Sequence, residues 1–482
     1  MPDRPKPVPL ALDAALALVR APFGQTIDLV VRRLTLGPPP GSPAAIIYFE
    51  GLIDRVALEQ HVLAPLQQLE PALPGCDLLA LARGVISVSQ VRRVHELERT
   101  VDALAKGQAV LLCEGGGAAL LLDVAKVSGR QVRESEIEPV VRGPRQAFVE
   151  DLGTNLALVR HVLSDVNLRF ERFQLGSATH TSVVLGYLEG RADRRVLARI
   201  RRCLRRMRTA QLFGSRPLEE MLFQGRWSVF PLSDSTERPD RVVAGLIEGR
   251  IAILIQGVPT AMMLPVTLWH LLQSPEDYHT VAHHASFTRV MRLLGMLAVL
   301  ALPSFYVALT SYHLELLPTV LALSMNSAHA GVPFPGLVEA LLLELIFEAV
   351  REAGIRLPKP AGQAVTIVGG LIIGQAAIQA RMVSPMMVIV VAATGVASFT
   401  IPHYPLAVAL RVLRFPIMFL SGVLGLFGFM IALFAILIYL CGLQSFGVPY
   451  LSPLAPLGEA RDILLRPPHR PDGGRRRLGA RR

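Results

Sequence analysis

LLGMLAVLALPSFYVALTSYH, Leu293 to His313, is apolar along a length that can cross a bilayer, and more such stretches follow it with little between them. They lie in GVPFPGLVEALLLELIFEAVREAGIRLPKPAGQAVTIVGGLIIGQAAIQ (Gly331 to Gln379), MVSPMMVIVVAATGVASFTIP (Met382 to Pro402) and FPIMFLSGVLGLFGFMIALFAILIYLCGL (Phe415 to Leu443). A hydrocarbon core of about 30 Å needs about 20 apolar helical residues. Full spans are therefore expected at 293–312, 361–380, 383–401 and 415–443. The chain up to Arg289 reads as a soluble region joined to this bundle.

The whole chain has 482 residues, room for two or three domains. Its 51% hydrophobic content and mean hydropathy of +0.44 fit a protein partly buried in lipid. Much of the net charge of +11 sits in RADRRVLARIRRCLRRMR (Arg191 to Arg208) and in the tail RPPHRPDGGRRRLGARR (Arg466 to Arg482). The first run is not interleaved with aromatic residues, so no nucleic acid is expected. Its helical spacing beside apolar residues reads as a solvated helix face, with anionic lipid headgroups or an acidic partner as the other reading. Four cysteines, Cys76, Cys113, Cys203 and Cys441, form no C-x-x-C pair and no disulfide framework, which fits a cytoplasmic soluble region. The apolar run near the N-terminus is broken by Asp13 and lacks a small-residue cleavage site, so no signal peptide is expected.

The soluble region repeats itself. DLVVRRLTLG (Asp28 to Gly37) returns as NLRFERFQLG (Asn167 to Gly176), and YFEGLIDRVAL (Tyr48 to Leu58) as YLEGRADRRVL (Tyr187 to Leu197). Three residues out of that register, LAKGQAVLLCEGGGAALLLDV (Leu104 to Val124) returns as LIEGRIAILIQGVPTAMMLPV (Leu246 to Val266). Matches in one order at nearly one offset indicate two tandem copies of one α/β unit. In each copy Asp54 or Asp193 is placed to cap a helix, and Gly107 or Gly249 to end one. Between the copies, R-G-P-R breaks regular structure and a helical period follows.

The expected fold is thus an α+β membrane protein: two tandem α/β soluble subdomains followed by a C-terminal α-helical transmembrane bundle. The expected boundaries are an N-terminal segment 1–27, subdomain 1 at 28–135, a helical linker 136–166, subdomain 2 at 167–280, the transmembrane domain 281–445 and a Pro/Arg-rich tail 446–482.

No catalytic, cofactor or metal site is expected. Gly115 to Gly117 lacks the G-K-[ST] of a phosphate loop and reads as a hairpin turn. His279 and His283 at i, i+4 on a helix, with His284, have zinc-like spacing but no third ligand. The soluble part supplies no nucleophile, base and oxyanion donor at recognisable spacing.

The chemistry sits in the membrane part. Glu339, Glu344 and Glu348 punctuate an apolar helix, where a charge costs about 2.5–3.5 kcal/mol on insertion scales. They line a cation path or vestibule, with Glu344 and Glu348 as the pair sharing a face, or they mark an interfacial helix. The small residues Gly362, Thr366, Gly370, Gly374 and Ala377 permit close helix packing, or a narrow pore with Val365 and Ile373 as constrictions. Arg289 and Arg292 mark the cytoplasmic side of the first span. Counting Arg351, Arg356, Lys359, Arg411 and Arg414 as loop charges leaves orientation unsettled. Both termini inside, with the Glu helix re-entrant or interfacial, is the expected arrangement.

VVRGPRQAFVEDLGTNLALVR (Val140 to Arg160), STERPDRVVAGLIEGRIAILIQGVP (Ser235 to Pro259), QSPEDYH (Gln273 to His279), Gly331 to Ala377 and QSFGVPYLSPLAPL (Gln444 to Leu457) resemble the A subunits of GerA-type spore germinant receptors and their paralogue SpoVAF. The resemblance covers nearly the whole chain. It implies a receptor in the inner membrane of a bacterial endospore, assembled with a multispanning B subunit and a lipoprotein C subunit. It further implies that A subunits oligomerise, as pentamers, into a ligand-gated cation channel; the pore or vestibule candidates read from the two helices above, Glu344, Glu348, Val365, Thr366, Gly370 and Ile373, fit that role. The segment Gly115 to Pro139 departs from the family by lacking an aromatic-rich spacer. A SpoVAF-like channel and a secondary transporter are the alternatives. A transporter would more usually carry its repeats within the membrane part.

Overall fold

Uninterrupted burial along the central strands of the first repeat marks a sheet that is covered on both faces. The computed structural model describes residues 6–37, 41–68, 78–125, 138, 143–223, 228–356, 370, 372–453, 463, 465 and 466. The first copy contains α1 (Leu12–Arg20), β1 (Leu29–Leu36), β2 (Ser42–Phe49), α2 (Arg55–Leu58), α3 (Ala64–Gln67) and α4 (Leu78–Gly84), followed by β3 (Val91–Val94), α5 (Leu97–Ala105), β4 (Ala109–Cys113) and β5 (Ala119–Leu122). The strands pair antiparallel in the order β1-β2-β4-β5-β3. Because successive side chains point to opposite faces, Ile46, Leu111 and Leu120 pack with Leu58, Val62, Leu66 and Leu81. Ile47, Val110, Leu112 and Leu121 pack on the other face with Leu12, Leu16, Val101 and Leu104. Helix, sheet and helix form three layers.

The linker helix α6 (Leu152–Val162) is capped by Asp151, whose side chain accepts the Thr154 amide. The second copy follows as β6 (Leu168–Leu175), β7 (Thr181–Leu188), α7 (Arg194–Arg206), α8 (Ser215–Leu222), β8 (Asp234–Thr236), α9 (Pro239–Ile247), β9 (Ile251–Ile255) and β10 (Ala261–Leu264). Its strand order, β6-β7-β9-β10-β8, is that of the first copy. Tyr48 and Tyr187 occupy the same place, the penultimate residues of β2 and β7, paired with Val30 and Arg169 on the preceding strands. Asp54 accepts the amides of Val56 and Ala57, and Asp193 those of Arg195 and Val196, as N-caps. Gly107 and Gly249 end α5 and α9 at φ +91 each, a backbone region costly for residues with a Cβ. Gly115 to Gly117 form the turn between β4 and β5.

The two copies are joined through Arg160 of α6. Its Nε donates to Asp28 Oδ2 at 2.6 Å, and its guanidinium lies 4.0 Å from the ring centroid of Phe49 and 5.3 Å from that of Phe170. One aromatic ring comes from each copy. In the second copy the family-like string at Ser235 folds around buried Asp234, which pairs with Arg250 at 2.9 Å and Arg241 at 3.2 Å.

The chain divides into two compact units; the copies belong to the first, and the second holds Trp227–Leu232 and Val266–Pro471. The second unit contains α10 (Leu268–Leu272), α11 (Glu276–His279), α12 (Ala282–Tyr312), α13 (Thr319–His329), α14 (Gly336–Arg356), a helical stretch α15 at 372–379, α16 (Pro385–Ser398), α17 (Tyr404–Gly442) and a short hairpin, β11 (Gln444–Ser445) with β12 (Val448–Pro449). Among the described residues two helices, α12 and α17, are long and apolar enough to cross a membrane. The expected span at 383–401 shortens to the 14 residues of α16, about 21 Å at 1.5 Å per residue and less than a bilayer core. The span at 415–443 is instead part of a 39-residue helix interrupted at Gly425, whose φ of +63 is not helical. Arg411 and Arg414, expected as loop charges, lie buried inside α17. Half of the span expected at 361–380, and the tail after Arg466, lie outside the described residues.

Two further expectations change. His279 and His283 do not share a helix: α11 stops at His279, Thr280 is extended with ψ 175, and α12 begins at Ala282. Arg289 and Arg292 are not free flanking charges. Asp277 of the QSPEDYH string receives Arg289 Nε at 3.1 Å and Arg292 Nη1 at 2.7 Å, anchoring the start of α12.

Candidate functional site: a buried ion ladder in the helical bundle

Pro335 turns the chain into α14, its carbonyl accepting the amides of Val338 at 2.9 Å and Glu339 at 3.1 Å. The helix has 21 residues, about 32 Å at 1.5 Å per residue. On 3.6 residues per turn Glu344 and Glu348 lie about 40° apart, while Glu339 is about 140° from Glu344. The three carboxylates therefore meet different neighbours.

Glu339 is fully buried. Its Oε1 accepts the Ser384 hydroxyl at 2.6 Å and the Ser384 backbone amide, and its Oε2 lies 3.2 Å from His329 Nε2. The Ser384 hydroxyl oxygen also accepts the Met387 amide at 3.3 Å, capping α16. One carboxylate thus ties together the end of α13, the start of α14 and the start of α16.

Glu344, equally buried, forms an ion pair with Arg414 of α17. Arg414 also donates from Nη1 to Thr394 Oγ1 of α16 at 3.3 Å. One turn on, Glu348 Oε1 lies 3.6 Å from Arg411 Nε and its Oε2 lies 3.3 Å from Arg351 Nη1. Moving from Glu344 to Glu348 along α14 corresponds to moving back from Arg414 to Arg411 along α17, as antiparallel helices require. The ladder is closed by aromatic faces: Arg351 lies 5.1 Å from the Phe347 ring centroid, and Arg411 lies 5.8 Å from that of Tyr404.

Glu344 and Glu348 are matched by the guanidiniums of Arg351, Arg411 and Arg414, while Glu339 is held by Ser384 and His329, which is how so many charges are tolerated among apolar helices. A buried charge is expensive unless it is paired. Glu348 differs from its neighbours because its side chain is 38% exposed. Glu344 faces Arg414 and not open solvent, so within one chain only Glu348 of the predicted vestibule pair reaches the surface. Close packing supports the arrangement: a Cβ at Gly395 of α16 would run into the Phe347 ring of α14.

The small-residue helix is different. Gly370 is exposed, and a Cβ there would meet nothing within 4 Å; Ile372 and Ile373 of α15 are 59% and 36% exposed. Gly370 and Ile373 thus lie on an uncovered surface of this chain, while Val365 and Thr366 lie outside the described residues. Among the described residues no cluster of three or more His, Cys, Asp or Glu could hold a metal ion. Sequence reasoning missed Arg411 and Arg414 as partners of the acidic helix. The signal was present in their three-residue spacing, which matches the four-residue spacing of Glu344 and Glu348 on an opposed helix.

The family model described as the Bacillus/Clostridium GerA spore germination protein matches residues 17–477. The chain belongs to the GerA family. This GerA-family chain is 38% identical over 444 residues to an uncharacterized membrane protein, YfkQ, of Bacillus subtilis (strain 168), covering 92% of this chain and 86% of that one. It is 35% identical over 468 residues to spore germination protein KA of the same organism, covering 97% and 86%. To spore germination protein A1, also of that organism, it is 36% identical over 438 residues, covering 91% and 89%. The crystal structure of the N-terminal domain of the A subunit of the Bacillus megaterium spore germinant receptor GerK3 matches with a TM-score of 0.44 and 26% identity, covering 54% of this chain and 97% of that domain.

Proposed function

We propose that this GerA-family chain is the A subunit of a nutrient-germinant receptor and that copies of it form a cation pore in the inner membrane of a spore, assembled with B and C subunits. Membership of the family and similarity to spore germination proteins KA and A1 support the receptor role. The observation that carries the pore reading is the exposed surface at Gly370 and Ile373 in the same unit as the ion ladder. A helix with no side chain at Gly370 can approach a second copy closely or line a narrow path. The ladder then holds α14 and α17 in register, while Glu348, its exposed member, faces the permeating ion. A pentamer with the soluble copies in the spore core is the arrangement this reading implies.

The test is ion flux through liposomes reconstituted with the full chain, alone and with its B and C subunits. Cation flux is expected, and Glu348→Gln is expected to lower cation over anion selectivity by about two- to tenfold, the effect of one charge in a water-filled path. No flux in any combination, with assembly intact, would overturn the pore.

A further inference from the structure

One feature of the soluble copies has no part in the ladder or the pore. Helix α7 buries Val196, Leu197, Ile200 and Leu204 against the second sheet. On the opposite side Arg195, Arg199, Arg202 and Arg206 are all exposed. At spacings of four, three and four residues they form one stripe, about 60° wide and about 16 Å long on an ideal helix. None of the four has an acidic partner among the described residues, whereas Arg201, on the inner flank, is held by Glu171 and Tyr187. At the registered offset the first copy carries Val56, Gln60, Leu63 and Gln67, none of them charged, on a segment that makes a π turn at Glu59–Leu63 and buries Leu63.

Two neighbouring features fit a phosphate-bearing surface. A cleft of about 600 Å³ opens between α7 and α8, lined by Arg202, Arg206, Arg208 and Thr209, and the one carboxylate on its rim, Glu220, is engaged by Arg216 at 3.1 Å. Phe213, in the loop between these helices, is 68% exposed. An aromatic beside unpaired guanidiniums suits the boundary between headgroups and acyl chains.

We infer that the α7 stripe binds anionic phospholipid headgroups of the membrane that holds the chain. The soluble copies are covalently continuous with membrane helices, so headgroups are present at high effective concentration. Negative headgroups supply the charge that α7 lacks, and several basic side chains near an anionic leaflet act together. Guanidiniums pair with phosphate oxygens by two parallel hydrogen bonds, and the cleft can admit such a group.

The test uses the full chain in nanodiscs of phosphatidylcholine, alone or mixed with phosphatidylglycerol, with modification of each arginine by phenylglyoxal followed by mass spectrometry. In the anionic discs Arg195, Arg199, Arg202 and Arg206 are expected to react about tenfold more slowly, as several surface contacts acting together would give, with exposed Arg172 of the same copy unchanged. In the Arg195→Gln/Arg199→Gln variant, Arg202 and Arg206 are expected to lose that protection. Equal reactivity in both lipids overturns the inference, as does protection that survives the double substitution. So does equal protection in phosphatidylcholine discs on adding inorganic phosphate, which assigns the cleft to a soluble anion, or an acidic polypeptide, which assigns the stripe to a protein.

Discussion

Glu344 and Arg414 are each closed off from solvent, so neither can lose its partner cheaply. Removing one partner of a buried pair typically costs about 3–5 kcal/mol, while replacing both by apolar residues can be neutral. Glu344→Gln is therefore expected to lower thermal stability in detergent, and Glu344→Leu with Arg414→Leu to recover most of the loss; a double-mutant cycle checks this. A cycle with no coupling would mean that the pair does not hold α14 to α17. In the soluble copies, burial pushes the Tyr187 phenol well above its ordinary value, and its 2.7 Å hydrogen bond to Glu171 adds to the shift. The unfolded phenol ionises near about pH 10, so above that pH the unfolded state releases a proton that the folded state retains. Stability falls as pH rises through that range. Alkaline melting curves followed by circular dichroism should show a smaller fall for Tyr187→Phe.

Between elements, the approach of α14 to α16 and α17 leaves little room. Gly395 faces the Phe347 ring, and a Cβ at Gly422 of α17 would come within 2.6 Å of the Leu337 side chain. Gly395→Ala is expected to cost about 1–3 kcal/mol, the usual range for overpacking, and Phe347→Leu in the same chain to relieve it. Thermal unfolding of the single and double variants measures both, and an additive pair of losses would refute direct contact. These glycines were visible in the sequence as small residues in apolar helices, but their partners were not. The caps were legible because they are local: Asp54 and Asp193 bind amides two and three residues away. The lengths of α16 and α17 were not, because hydropathy averages across a cap such as Ser384 and a break such as Gly425.

For the molecule as a whole, α12 and α17 are, among the described residues, the helices long and apolar enough to cross a bilayer. At 31 residues α12 is about 46 Å long, more than the hydrocarbon core. Cysteines placed at Val281 and His313 in a cysteine-free chain are expected to react with an impermeant maleimide from opposite sides of sealed proteoliposomes. Labelling of both from one side would rule out a crossing. Asp277 holds both arginines that flank this helix; one carboxylate leaves one positive charge over, and the positive-inside bias counts basic residues rather than net charge, so it still acts on this end of α12.

The sequence by itself determined the duplication, the α/β class of each copy, the helical character of the bundle and the presence of three carboxylates in an apolar helix. Periodicity, caps, glycine stops and hydropathy are written over a few consecutive residues, and an internal repeat needs only self-comparison. The tertiary structure alone decided which charges neutralise one another. Glu344 and Arg414 are 70 residues apart in the chain, as Arg160 and Asp28 are 132 apart. Pairing at such separations depends on how helices pack, and a one-dimensional reading of arginines as loop or flank charges has no access to that. Burial then made the difference energetic, because a charge that would be solvated in a loop must be matched inside a helix bundle.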